Sequence, residues 1–198
     1  MSIHACVADY IDRCRTKARE EILFFSSQPN LSDAIMMAAN CRRADGKRHP
    51  HQRRIPNRVL GEAERQLLAN SESISAAQDF DALLVVVNHT IRSIRGIGEL
   101  TVYDTAHRIG AFLGLAPEKV YLHAGARTGA AGLGFSGKMI EKDQLPAAFA
   151  PLTAAEIEDC LCIYKDKLCG VGLGSSVCAG RVRISACSPN PRHRRRAC

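Results

Sequence analysis

Two glycines flank one isoleucine at Gly96-Ile97-Gly98, between segments that each carry apolar residues at helical spacing. Upstream, Phe80, Leu83, Leu84, Val87, Ile91 and Ile94 share one face of "FDALLVVVNHTIRSI", and Asp79 or Asp81 stands ready to cap it. Downstream, Val102, Ala106, Ile109 and Leu113 line one face of "ELTVYDTAHRIGAFL". The triplet Val85-Val86-Val87 has strand propensity, but segment length and the i, i+4 spacing favour a helix. The link from Arg95 to Gly98 must therefore reverse the chain between two helices in very few residues. Glycine does this because it reaches positive φ without a Cβ clash and lets another group approach the backbone. Ile97 between the glycines points back into the helix pair and pins it.

The rest of the chain predicts an all-α fold of six to eight short helices. Aromatics make up only 5% of the sequence and Trp is absent, so a core must come from Ala, Leu, Ile and Val, which suits helices better than a β-sandwich. Two helices are expected in the first forty residues, one running from Val7 through "EEILFF" and a second capped by Ser32. A third is expected from Asn57 to about Leu68, followed by the small polar linker "NSESISAAQ". Pro117 opens a short helix through "EKVYLHAG", while "GARTGAAGLGFSG" reads as loop or broken helix. Thr153 with Glu156 forms a capping box before a helix ending near Leu168. The organisation that follows is an N-terminal helical region (1–78), a glycine-hairpin region with its C-terminal helix (79–168), and a basic tail (169–198) expected to be disordered apart from a short strand at "GRVRIS".

Charge is distributed unevenly. Between Arg42 and Arg58 seven Lys/Arg face a single acid, Asp45, and the residues after Cys169 hold six Arg and no acid. With a total of +7, the remainder of the chain is mildly acidic. Two basic segments on an acidic body concentrate polyanions locally. No apolar run is long enough to cross a bilayer, and the N-terminus lacks a continuous apolar stretch, so no membrane role and a cytoplasmic location are expected. The nine cysteines include no CxxC pair, which argues for reduced thiols and against a zinc ribbon.

The run Ile94-x-Gly96-Ile97-Gly98-x-x-Thr101-Val102, with Ile109 further on, resembles the helix-hairpin-helix motif of DNA-binding proteins over about residues 79–115. Val102 stands where that family usually has Ala, and Glu99 places an acid beside the hairpin. The resemblance implies sequence-independent contact between the hairpin amides and DNA phosphates, a geometry that the unsatisfied first-turn N–H groups and the helix dipole favour. Gly96, Ile97, Gly98 and Thr101 are the implied motif residues, and Arg92, Arg95, Arg42, Arg43, Arg53 and Arg54 the expected supplementary phosphate contacts. Glycosylases of the same superfamily have a catalytic Asp about twenty residues after the hairpin, and their bifunctional members also place a catalytic Lys in the first turn of the second helix. Here the turn reads "ELTV" and His123 stands near the Asp position, so glycosylase chemistry is not expected.

No catalytic set, metal site or cofactor is expected. "HPH" at His49 to His51 lies in a Pro-broken basic loop and reads as solvent-exposed, and His107 with Asp104 reads as a surface hydrogen bond. The expected function is non-catalytic binding of DNA or structured nucleic acid. The competing expectation is a protein–protein interaction or regulatory helical domain in which the hairpin is only a turn. Oligomeric state stays open.

Overall fold

The computed structural model describes residues 2–168. In chain order it contains α1 (Ile3–Arg13), α2 (Arg15–Ser26), α3 (Leu31–Ala39), a 3-10 turn at Pro50–Gln52, α4 (Asn57–Ala69), α5 (Ser71–Ser75) and α6 (Phe80–Ile91). There follow α7 (Glu99–Leu113), β1 (Val120–Tyr121), α8 (Ala124–Gly132), β2 (Met139–Ile140), α9 (Ala154–Ile163) and α10 (Lys165–Leu168). The fold of the described residues is all-α, with one short antiparallel pair in which Val120 faces Ile140 and Tyr121 faces Met139. The expectations for the tail lie outside the described residues.

The helix count exceeds six to eight because continuous apolar patterns are broken in space. Cys14 (φ −115°) separates α1 from α2, Tyr164 separates α9 from α10, and the polar linker forms the single turn of α5. Caps account for several starts: Ser2, Asn30, Asp79 and Thr153 each accept a hydrogen bond from a first-turn amide of α1, α3, α6 and α9. Thr153 and Glu156 make the expected reciprocal capping box. The second helix is capped by Asn30 rather than Ser32, which lies inside it.

Two segments depart from the sequence expectation. "EKVYLHAG" is extended at Val120–Tyr121, where the buried pair Val120 and Tyr121 joins β2 instead of continuing a helix. "GARTGAAGLGFSG" is helical as far as Gly132, where Gly125 and Gly129 serve close approach, while Gly134 (φ +90°) and Gly137 (φ +114°) turn the chain beyond it. A Cβ on Gly125 would collide with the Cys162 sulfur, and one on Gly129 with the Leu161 carbonyl oxygen. With no side chains there, α8 lies directly against α9. Helix propensity opposes glycine at these sites by about 1 kcal/mol each, so packing against α9 decides the conformation. Gly129→Ala should raise helix propensity yet lower stability, by roughly 1–3 kcal/mol, because backbone must move to admit the methyl. Chemical denaturation of the variant checks this; an increase in stability would mean the helices separate freely.

The interior holds two apolar clusters. One gathers Phe25, Ile35, Leu60, Leu67, Ile74, Leu83, Ile91, Ile97 and Ile109 from α2 to α7. The other gathers Tyr10 of α1 with Val120, Leu122, Phe149, Leu152, Ile157 and Leu161 around α8 and α9. The N-terminal helix therefore packs with the C-terminal elements. No helix among the described residues is long and apolar enough to cross a membrane. The five cysteines among them are all free.

Candidate nucleic-acid interface

The glycine link forms a tight hairpin with a defined bonding pattern. Ile94 N–H donates to Ile91 O (3.1 Å) and Ile97 N–H to Ile94 O (2.9 Å), while the Arg92 guanidinium reaches across to Ile97 O (3.0 Å). Gly96 has φ +106°, a conformation that side chains rarely adopt, and the Val59 side chain at the start of α4 approaches within 3.5 Å of where its Cβ would lie. Ile97 is buried in the first core. Gly98 differs from Gly96: its backbone is extended (φ −97°, ψ 171°), and a Cβ there would meet nothing within 4 Å. Only Gly96 is thus required by the turn, whereas Gly98 leaves an open approach to the start of α7.

That start is uncapped. Val102 N–H donates to Gly98 O (3.1 Å), no side chain accepts from the amides ahead of it, and the dipole of a fifteen-residue helix stands behind them. Glu99, which would repel a phosphate, lies 3.5 Å from the Arg127 guanidinium of α8. Arg95 is exposed beside Gly96. Thr101 is buried, so it packs rather than reaching outward.

The basic segment is split by its own fold. Arg42 donates to Gly46 O (2.6 Å) and Arg43 pairs with Asp45 (2.6 Å), closing a turn that uses Gly46 at φ +72° and Cys41 at φ +55°. Arg48 donates to Ile55 O (2.8 Å) and to the Asn57 side chain, stapling the loop to the start of α4. Arg42, Arg43 and Arg48 thus hold the loop together. Arg53, Arg54 and Arg58 are exposed. Gln52, 2% exposed, ties the loop to α7: its Nε2 donates to Asp104 (2.7 Å) and its Oε1 accepts from Arg108 (3.1 Å). Asp104 is six residues beyond Gly98, about 9 Å along the helix. The basic loop is therefore tied to the second turn of α7 at Asp104 through Gln52, and α4, which follows the loop, packs Val59 against Gly96 of the glycine link.

Beneath this surface, polar groups collect between the two cores. Arg108 lies 3.7 Å from Asp104 and 3.8 Å from Glu21, and His49 Nε2 is 3.2 Å from Glu21. Burial, then the neighbouring Arg108, pushes the His49 imidazole down to about 3, so near neutral pH it is uncharged and its contact with Glu21 is not an ion pair. Far from being solvent-exposed, His49 is buried, and His107 is neutral among Phe80 and Tyr103 rather than bonded to Asp104 at the surface. On the α9 side, burial and then the charge of Asp159 push Glu158 up to about 8, and burial pushes Asp159, which accepts from the Tyr10 hydroxyl (3.3 Å), up to about 6. His123 packs against Tyr103, ring centroids 4.5 Å apart, and neither of its nitrogens has a hydrogen-bond partner.

Sequence reasoning did not find this layer. Its members lie as far apart as Tyr10 and Asp159, and no local spacing joins them. Among the described residues no group of three His, Cys, Asp or Glu side chains has a geometry suited to a metal ion. Comparison of the chain with protein-family models, curated proteins and solved structures finds no match, so the helix-hairpin-helix resemblance rests on the residues themselves.

Proposed function

We propose that the chain is a non-catalytic nucleic-acid-binding protein that holds the phosphate backbone of a duplex at the hairpin, without reading base sequence. The observation that carries this reading is the convergence of two basic features far apart in sequence. The open, uncapped start of α7 adjoins Arg95 of its own link, while the loop carrying Arg53 and Arg54 is tied to the same helix by Gln52–Asp104 and α4, which carries Arg58, packs Val59 against Gly96. Backbone amides and guanidinium groups both recognise phosphate oxygens and neither depends on base identity. Arg92 supports the site indirectly by fixing Ile97 O, and the pairing of Glu99 with Arg127 reduces the repulsion an acid would exert there. The free cysteines fit a reducing compartment such as the cytoplasm.

Salt titration tests the reading. Binding to a short duplex should weaken steeply as salt rises, and Arg95→Gln should lower affinity alike for unrelated sequences while reducing the log–log slope by about one. A slope and affinity unchanged in Arg95→Gln, or discrimination among sequences that the substitution alters, would count against backbone contact at the hairpin.

A further inference from the structure

The exposed end of the basic loop is concave. Pro50, His51, Arg53 and Arg54 line a hollow of about 470 Å³, and no carboxylate is among its lining residues. The floor is held in place. Gln52 is locked beneath it by Asp104 and Arg108, its own amide donates to His49 O (3.0 Å), and Ile55 N–H donates to Gln52 O (3.1 Å). The Arg53 Nε donates to Pro50 O (3.3 Å), which orients its guanidinium and leaves the outer N–H groups available. Arg54 makes no hydrogen bond or ion pair among the described residues. The three other arginines of the loop's first half are engaged in bonds to Gly46, Asp45, Ile55 and Asn57, so the arginines of this segment left to face solvent are Arg53 and Arg54 at the hollow and Arg58 beyond it.

From this arrangement we infer that the hollow binds the terminal phosphate monoester of a nucleic-acid strand. The inference rests on the nucleic-acid reading above and adds an end preference to it. A ridge of arginines suits the continuous backbone, whose diesters lie along the outside of a duplex and carry one charge each. A hollow admits a group that projects. A monoester carries a charge of about −1.5 to −2 at neutral pH and three acceptor oxygens, enough to engage both guanidinium forks together. The volume exceeds that of a phosphate alone, leaving room for the sugar that bears it. Through Gln52 and Asp104 the floor of the hollow is tied to the second turn of α7. On that inference, a strand held at the α7 amides extends from there to Arg53 and Arg54.

The test uses the full chain and two duplexes of one sequence, differing only in carrying a 5′-phosphate or a 5′-hydroxyl at each end. The phosphorylated duplex should bind at least fivefold more tightly at moderate salt. The double variant R53Q/R54Q should weaken both duplexes, as loss of two backbone cations must, but the phosphorylated one by about fivefold more, so that the two then bind alike. Both residues are exposed, so the variant should retain the native helical spectrum and melting temperature. Equal affinity of the wild-type protein for the two duplexes overturns the end preference. So does a loss in R53Q/R54Q that is the same for both, because the arginines then act as general backbone charge. A 5′-mononucleotide serves as competitor: displacement only at far higher concentration than the phosphorylated duplex supports a strand end. Displacement at comparable concentration overturns it in favour of a free phosphate ester. Failure to bind the hydroxyl duplex at low salt would instead remove the hairpin reading, a result distinct from the first three.

Discussion

Gly98→Asp should make the protein slightly more stable and a much poorer ligand for DNA. Gly98 occupies the cap position of α7 in extended conformation, with free space around its missing Cβ, so an aspartate fits without strain. Its carboxylate would accept from the first-turn amides and face the positive end of the dipole. Replacing glycine at a cap gains a few tenths of a kcal/mol, and the dipole adds a similar amount, for a rise in Tm of about 1–2 °C. The same carboxylate occupies the amides that a phosphate would use and repels the phosphate itself. Losing charge-assisted hydrogen bonds there should weaken duplex binding by about 2 kcal/mol, roughly thirtyfold. Opposite signs are the diagnostic, because damage to the fold lowers both quantities together. Gly98→Ala, which neither caps nor charges the site, should leave both nearly unchanged. Gly96→Ala is unsuitable as a binding probe: at φ +106° a Cβ is strained by about 1–3 kcal/mol, so reduced affinity would report on the turn. A Gly98→Asp protein that gains stability and binds duplex as well as wild type would reduce the hairpin to a structural turn. The protein–protein alternative would then lead.

The parts of this arrangement legible in the sequence are those fixed by neighbours a few residues apart. The α6–α7 hairpin, the Asp79 cap and the Thr153–Glu156 box each follow from local periodicity or hydrogen bonding, and the structure contains them. The helix α8 was hidden because its glycines oppose helix formation locally, and what overrides them is the Leu161 backbone of a helix thirty residues later. Nor does composition divide the basic segment. Arg43 and Arg54 are alike in sequence, and only the turn at Cys41, a non-glycine residue at positive φ, decides that Arg43 meets Asp45. The buried layer was out of reach for the same reason. Pro-broken, charged surroundings make His49 look exposed in the sequence, yet Glu21 of α2 and Arg108 of α7 enclose it.

That layer sets how stability should vary with pH, and Glu158 is the group to isolate. Its carboxyl is held protonated up to about 8 by burial and by Asp159 and Asp104, against an ordinary value of 4.5. A folded-state pKa raised above the unfolded one contributes stability that is complete below the unfolded value and is lost as pH rises through the folded value. Between pH 4.5 and 6.5 other groups mask this loss. His49, His107 and His123 are held neutral by burial, so their contribution runs the other way and grows as pH rises toward 6.5. Lower still, Glu156 becomes decisive. Burial favours its neutral form, but hydrogen bonds from Arg15, the Thr153 amide and Arg19 overcome that and bring it to about 2, so its stabilisation is lost as pH falls below 4.5. From pH 6.5 to 8 Glu158 by itself lowers stability by about 2 kcal/mol, but the three histidines, half protonated at pH 6.5 in the unfolded chain, each return up to about 0.4 kcal/mol. The wild type should therefore fall by less than about 1 kcal/mol, and Glu158→Gln, which stays neutral throughout, should rise instead. Denaturant unfolding at pH 6.5 and 8.0 measures both slopes. Parallel changes in wild type and variant would mean that the Glu158 carboxyl ionises in the folded protein much as it does in water.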